Sequence, residues 1–168
     1  GANTYTISGG SSVVSPTTAT SYSVTGTSTA GCVSSVAVSS VSVNAKPVVT
    51  VNSGSICAGS SFTISPTGAN TYTISGGSSV VSPTTTASYS VTGTSTAGCV
   101  SSVAVSSVSV NAKPNVTVNS GSICAGSSFT ISPTGANTYT ISGGSSVVSP
   151  TTATSYSVIG TSTAGCVS

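Results

Sequence analysis

Apolar and polar residues alternate along much of the chain in short runs. Phe62 and Ile64 alternate with Thr63 and Ser65, Tyr72 and Ile74 with Thr71, Thr73 and Ser75, and Tyr89 and Val91 with Ser88, Ser90 and Thr92. A period of two places every second side chain on one face, which predicts half-buried β-strands. Val48-Val49-Thr50-Val51 reads as a further strand ahead of these, followed by a turn at Asn52-Ser53-Gly54. Pro66-Thr67-Gly68, Gly76-Gly77 and Gly98-Cys99 supply turn residues between the runs, and a short strand from Ser78 to Ser82 ends at Pro83. The last run holds Val103 and Val105, then Val108 and Val110. Its parity changes, so a β-bulge is expected at Ser106-Ser107. No stretch has helical periodicity. About six short strands within this span predict an all-β fold, a small antiparallel sandwich.

The pattern recurs. Gly-Ala-Asn-Thr-Tyr-Thr-Ile-Ser begins at Gly1, Gly68 and Gly135, a period of 67 residues. The first two copies differ at Ala19/Thr86, Thr20/Ala87 and Val48/Asn115, and Ile159 stands where Thr25 and Thr92 do. Asn-Ala-Lys-Pro, at Asn44–Pro47 and Asn111–Pro114, is the natural boundary, because proline interrupts a strand ladder and stiffens the chain. Residues 47–113 are then one complete unit, 1–46 the back part of a preceding unit and 114–168 the front part of a following one. On this reading the chain is a piece of something longer. Linkers this short favour a stiff rod.

Composition narrows the chemistry. Lys46 and Lys113 are the only charged side chains, and Asp, Glu, His and Arg are absent. Ordinary general acid–base catalysis needs such groups, so no enzyme is expected. Two lysines cannot neutralise a run of phosphates, which argues against nucleic acid as a partner. No cofactor motif is present: Gly76-Gly77 is a turn, not a phosphate loop. No apolar run is long enough for a membrane-spanning helix. Serine and threonine fill 71 of the 168 positions. A nearly uncharged, β-prone surface promotes association, so the chain is expected to assemble in a controlled way or to carry glycans on its hydroxyls.

A core this small usually needs a covalent staple. The five cysteines occupy two repeat positions: Cys32, Cys99 and Cys166 are one, Cys57 and Cys124 the other. Pairing within units gives Cys57–Cys99 and Cys124–Cys166 and leaves Cys32 with a partner outside the chain. In an up-down path of six strands these pairs meet at one end. A seventh strand between them would put them at opposite ends. Cys32–Cys57 with Cys99–Cys124 is the alternative and crosses the linker. Two cysteines per unit without histidine favour disulfides over zinc.

Ile56-Cys57-Ala58-Gly59-Ser60, Thr71-Tyr72-Thr73-Ile74, Ser82-Pro83-Thr84, Ala87-Ser88-Tyr89-Ser90-Val91-Thr92 and Gly98-Cys99 together resemble the tandem Ig-like (PKD-like) repeats of bacterial extracellular proteins. The resemblance spans the whole unit. It implies small Ig-like β-sandwiches of about six to seven strands in a rod, at the cell surface or secreted, serving as stalks, adhesin shafts or fibres. The family often has Trp where Ile74 stands and acidic residues near the Gly-Cys turn. Thr94-Ser95-Thr96-Ala97 occupy that turn here, against ion binding.

Ser15-Pro16-Thr17-Thr18, Ser82-Pro83-Thr84-Thr85-Thr86 and Ser149-Pro150-Thr151-Thr152 have the composition of O-glycan acceptors. The strand hydroxyls of Thr71, Thr73 and Ser90 are further candidates. Asn115-Val116-Thr117 is the one N-glycosylation sequon, and its counterpart at Val48 lacks the asparagine. Tyr89, and Tyr72 likewise, is read as a core residue able to bond back to the backbone as a tyrosine corner. Two functional readings result. One is a structural, O-glycosylated extracellular filament whose partners are its glycans and copies of itself. The other is the stalk of an adhesin or carbohydrate-binding surface protein.

Overall fold

Alternation is realised most completely in the middle unit. In the computed structural model, which describes Gly1–Ser168, the fold is all-β. The first unit contributes β1 (Thr4–Ile7), β2 (Thr20–Thr27) and β3 (Ala37–Val41). They form one antiparallel sheet with β2 in the centre. The middle unit contributes β4 (Gly54–Cys57), β5 (Phe62–Thr63), β6 (Thr71–Ile74), β7 (Val80–Val81), β8 (Ala87–Thr94) and β9 (Ala104–Asn111). Its main sheet has the order β4-β9-β8-β6, and β5 pairs with β7 as a second, two-stranded layer. The third unit contributes β10 (Phe129–Thr130), β11 (Thr138–Ile141), β12 (Val147–Val148) and β13 (Val158–Thr161), paired β10-β12 and β11-β13.

The core is thin. Ten residues of the chain are buried, with Ile64, Val91, Ser106 and Val108 at its centre in the middle unit. Close approach there depends on glycine. A Cβ on Gly93 of β8 would lie 2.5 Å from Ala69 Cβ and 2.6 Å from Val49 Cγ2. Gly68 sits at φ +95°, and a Cβ there would run into the carbonyl oxygen of Val48. Val48–Val51 is therefore packed by side chain and backbone contact rather than by a ladder. It forms only the isolated bridge Thr50↔Thr67, not the expected first strand.

The bulge expected at Ser106-Ser107 is absent. β8 and β9 pair without interruption from Ala87↔Val108 to Val91↔Ala104. The even-numbered residues of β9 face inward throughout, so Ser106 is buried while Val103 and Val105 are exposed. The Ser106 hydroxyl donates to the carbonyl of Asn52 at 2.7 Å, which satisfies a polar group in the core. Valine at 103 and 105 marks β-propensity, not burial.

Sequence reading placed a turn at Asn52-Ser53-Gly54 and no strand between it and Phe62, but β4 begins at Gly54 and runs through Cys57. It pairs in parallel with β9, from Gly54↔Val108 to Cys57↔Asn111. This corrects the cysteine assignment. Cys57 lies at the end of β4 beside Asn111, the C-terminal end of β9. Cys99 precedes β9 and lies at its N-terminal end, so Cys57 and Cys99 occupy opposite ends of one sheet. Neither Cys57–Cys99 nor Cys124–Cys166 forms. The disulfide is Cys57–Cys166, which joins the middle unit to the third. Cys32, Cys99 and Cys124 are free thiols.

Candidate functional site: the seam between units

The seam is built where β9 runs out through Asn111-Ala112-Lys113-Pro114. Ala58 donates its backbone N–H to the Asn111 carbonyl at 2.9 Å, holding the chain after Cys57 against the linker. From the third unit comes the Gly-Cys turn. Ser162 N–H donates to the Cys166 carbonyl at 2.9 Å, and Cys166 N–H donates to Ser162 Oγ at 3.1 Å. Gly165 sits at φ +78°, as Gly98 does at +78° and Gly31 at +80° in the other copies of this turn, a conformation that suits glycine. Cys166 is wholly buried, with Sγ 3.8 Å from the Asn111 carbonyl oxygen. Three groups thus converge on one point: the end of β4, the end of β9 and the turn of the next unit.

Half of the same arrangement stands one period earlier. Cys99 Sγ lies 3.6 Å from the carbonyl oxygen of Asn44, as Cys166 does from Asn111. The strand bearing a Cys57 equivalent is missing there, and Cys99 is half-exposed. Cys32 is exposed. Burial of this cysteine position follows the completeness of its surroundings.

At the other end of the period Cys124 lies on Gly121-Ser122-Ile123-Cys124, the counterpart of β4. This segment forms no strand, and all four residues are exposed. In the middle unit β9 occupies the space between β4 and β8. In the third unit that space is an open groove of about 530 Å³, walled by residues 118–123 on one side and 150–156 on the other, with Phe129 and Ile131 at its floor.

The candidate glycan acceptors all lie at the surface: Thr17, Thr18, Thr84, Thr85, Thr86, Thr151 and Thr152 in the proline turns, Thr71, Thr73 and Ser90 on the sheet, and Asn115 in the linker. They are spread over three units rather than gathered into a site. Thr86 has a structural task as well, since its Oγ1 accepts from Val110 N–H at 3.1 Å. Hydroxyls also pair across the surface, as Thr50 with Thr67 at 2.8 Å and Thr117 with Thr134 at 2.7 Å. The back-bonding tyrosine is Tyr72, whose hydroxyl donates to the Ala69 carbonyl at 3.0 Å and accepts from Ala69 N–H at 2.9 Å. Tyr139 repeats this with Ala136. Tyr89 is half-buried beside Val91 and makes no such bond.

Sequence reading missed the seam because it weighed pairs inside a unit, and pairs of successive cysteines across the linker, but not a pair 109 residues apart. The period itself holds the clue: the first cysteine position of one unit can pair with the second position of the next. The carbonyls of Asn44 and Asn111 carried no signal beyond their place beside the linker. No protein-family model and no curated protein matches the chain. No helix is long and apolar enough to cross a membrane.

Proposed function

We propose that this chain is a segment of an extracellular structural filament, a rod of tandem Ig-like β-sandwiches with O-glycans on its exposed hydroxyls. The observation that carries the reading is the covalent seam. Cys57–Cys166 ties one near-identical unit to the next across a linker, which suits an extended assembly. A disulfide persists in oxidising compartments, in keeping with a secreted or surface location. The units offer serine, threonine and valine to solvent and only two lysines in the whole chain, so little charge keeps neighbouring rods apart. A glycan coat resolves that problem, and the exposed proline turns at Thr17, Thr84 and Thr151 are suited to carry it.

The test is electron microscopy of the native material joined to intact-mass measurement. Filaments, with mass in excess of the polypeptide located on Ser or Thr peptides, are the expected result. Bare polypeptide mass in a monodisperse monomer refutes both parts.

A further inference from the structure

Each linker lies on the unit that follows it, and the two linkers do so in the same way. Thr50 and Thr67 exchange backbone hydrogen bonds at 3.1 and 3.0 Å, and Thr117 and Thr134 do so at 3.1 and 2.9 Å. The hydroxyls of each pair also meet, at 2.8 and 2.7 Å. Val49 Cγ2 covers the bare face of Gly93, and Val116 Cγ2 covers that of Gly160. The carbonyls of Val48 and Asn115 lie against Gly68 and Gly135, which take φ +95° and +93°. From Asn44 to Val51 and from Asn111 to Val118 the linkers differ only at this position, Val48 against Asn115. The contact there is made by the carbonyl, so the exchange of side chain leaves it in place.

The cysteine end of the two joints matches as well. Asn44 and Asn111 present their carbonyl oxygens to Cys99 and Cys166 Sγ, at 3.6 and 3.8 Å. The turn that carries each cysteine is closed by the same bond, Cys99 N–H to Ser95 Oγ at 3.2 Å and Cys166 N–H to Ser162 Oγ at 3.1 Å. One covalent difference separates the joints. Cys166 is bonded to Cys57, and Cys99 is a free thiol. The same contacts stand with the disulfide and without it, so the disulfide is not what makes them.

We infer that the docked linker sets the angle at which the middle and third units meet, and that Cys57–Cys166 locks a joint which the linker forms without it. The inference goes beyond the filament reading and does not depend on it. Asn111 is fixed to the middle unit by its pairing with Cys57 in the parallel ladder and by the Ala58 N–H. Asn115, Val116 and Thr117 are fixed to the third unit. Only Ala112-Lys113-Pro114 lies between, and the proline ring holds one of its φ angles. Little rotation is left to so short a span when both of its ends are held. Val116 is the positioning residue of this joint. Its side chain can reach the third unit because Gly160 has no Cβ in the way. Loss of the disulfide then leaves the linker seated, and loss of the Val116 side chain loosens it while the disulfide is intact.

The experiment uses the full chain with Cys32→Ser, Cys99→Ser and Cys124→Ser throughout, so that no free thiol interferes. Three forms are compared: this background with its disulfide, the same with Cys57→Ser and Cys166→Ser, and the disulfide form with Val116→Ser. Amide exchange is followed at Thr50, Thr67, Thr117 and Thr134, and small-angle X-ray scattering reports the overall shape. Without the disulfide, exchange at Thr117 and Thr134 should rise by less than about threefold, and the scattering curve should be unchanged. Val116→Ser should raise exchange at Thr117 and Thr134 about tenfold with the disulfide in place, and leave Thr50 and Thr67 as they were. A rise of more than about threefold at Thr117 and Thr134 on losing the disulfide overturns the inference, whether or not the rest of the chain stays folded. So does a larger radius of gyration without the disulfide, or a Val116→Ser effect no greater than that of removing the disulfide.

Discussion

Val108 and Val41 are the same residue of the repeat in two surroundings, and the difference can be measured. Val108 in β9 is 0% exposed, between β8 and β4. Val41, 67 residues earlier, ends β3 half-exposed, with no strand on its outer edge. Val108→Ala removes two methyl-sized groups from a closed core. At ~0.8 kcal/mol per group the transfer contribution is about 1.6 kcal/mol, and an unrelaxed cavity raises the total to about 2–3 kcal/mol. Val41→Ala leaves a site that solvent already reaches, and should cost about 0.5–1 kcal/mol. Both substitutions belong in a background with Cys32→Ser, Cys99→Ser and Cys124→Ser, so that no free thiol can cross-link chains. Urea unfolding followed by far-ultraviolet circular dichroism gives the global difference, and amide exchange in β8 and β9 assigns it to the middle unit. Equal losses at the two positions would refute the reasoning, since they would mean that β4 does not close the core over Val108.

Other substitutions probe the remaining contacts. Gly68→Ala should cost about 2–3 kcal/mol, because φ +95° and the Val48 carbonyl both oppose a Cβ; Gly98→Ala, at φ +78° in open space, should cost about 1 kcal/mol, and thermal melts that rank the two the other way would contradict this. Tyr72→Phe removes both hydrogen bonds to Ala69 and should lose about 1–2 kcal/mol, whereas Tyr5→Phe, at a tyrosine 67% exposed, should be silent in the same melt. Peptide mapping without reductant should recover Cys57 linked to Cys166, and reduction should remove about 4–5 kcal/mol by freeing a loop of that span; recovery of Cys57 linked to Cys99 instead would overturn the seam.

Much of the fold was legible because alternation is a local signal. Tyr72 and Ile74, and Tyr89 and Val91, lie on strands whose inward and outward faces follow the period of two, and Phe62 with Ile64 keeps that alternation through and just past β5. β4 was not legible, because Gly54-Ser55-Ile56-Cys57 has a single large apolar residue and opens with a glycine. What makes it a strand is the edge of β9, some 54 residues away in sequence, and no local pattern reports such a partner. The valines of β9 misled for a related reason: in an all-β fold with so thin a core the outer face tolerates valine, while the inner face accepts Ser106 because its hydroxyl donates to the Asn52 carbonyl. The disulfide was then misassigned by one further step, since the pairing of cysteines depends on how many strands separate them. The exposed hydroxyls were legible as a surface, but no single one is distinguished by its surroundings.

The seam also decides where tension would travel. Cys57 and Cys166 are 109 residues apart along the chain, and the bond between them places residues 58–165 inside a covalent loop. A pull applied at Gly1 and Ser168 passes from Cys57 to Cys166 through sulfur. β5 to β13 lie in the loop and carry no load while the bond is intact. Fully stretched, the sheltered segment would span about 380 Å at ~3.5 Å per residue, and this is the length that force spectroscopy should find missing until a reductant is added. Mechanical strength in such a chain is then set less by its thin core than by the redox state of its surroundings.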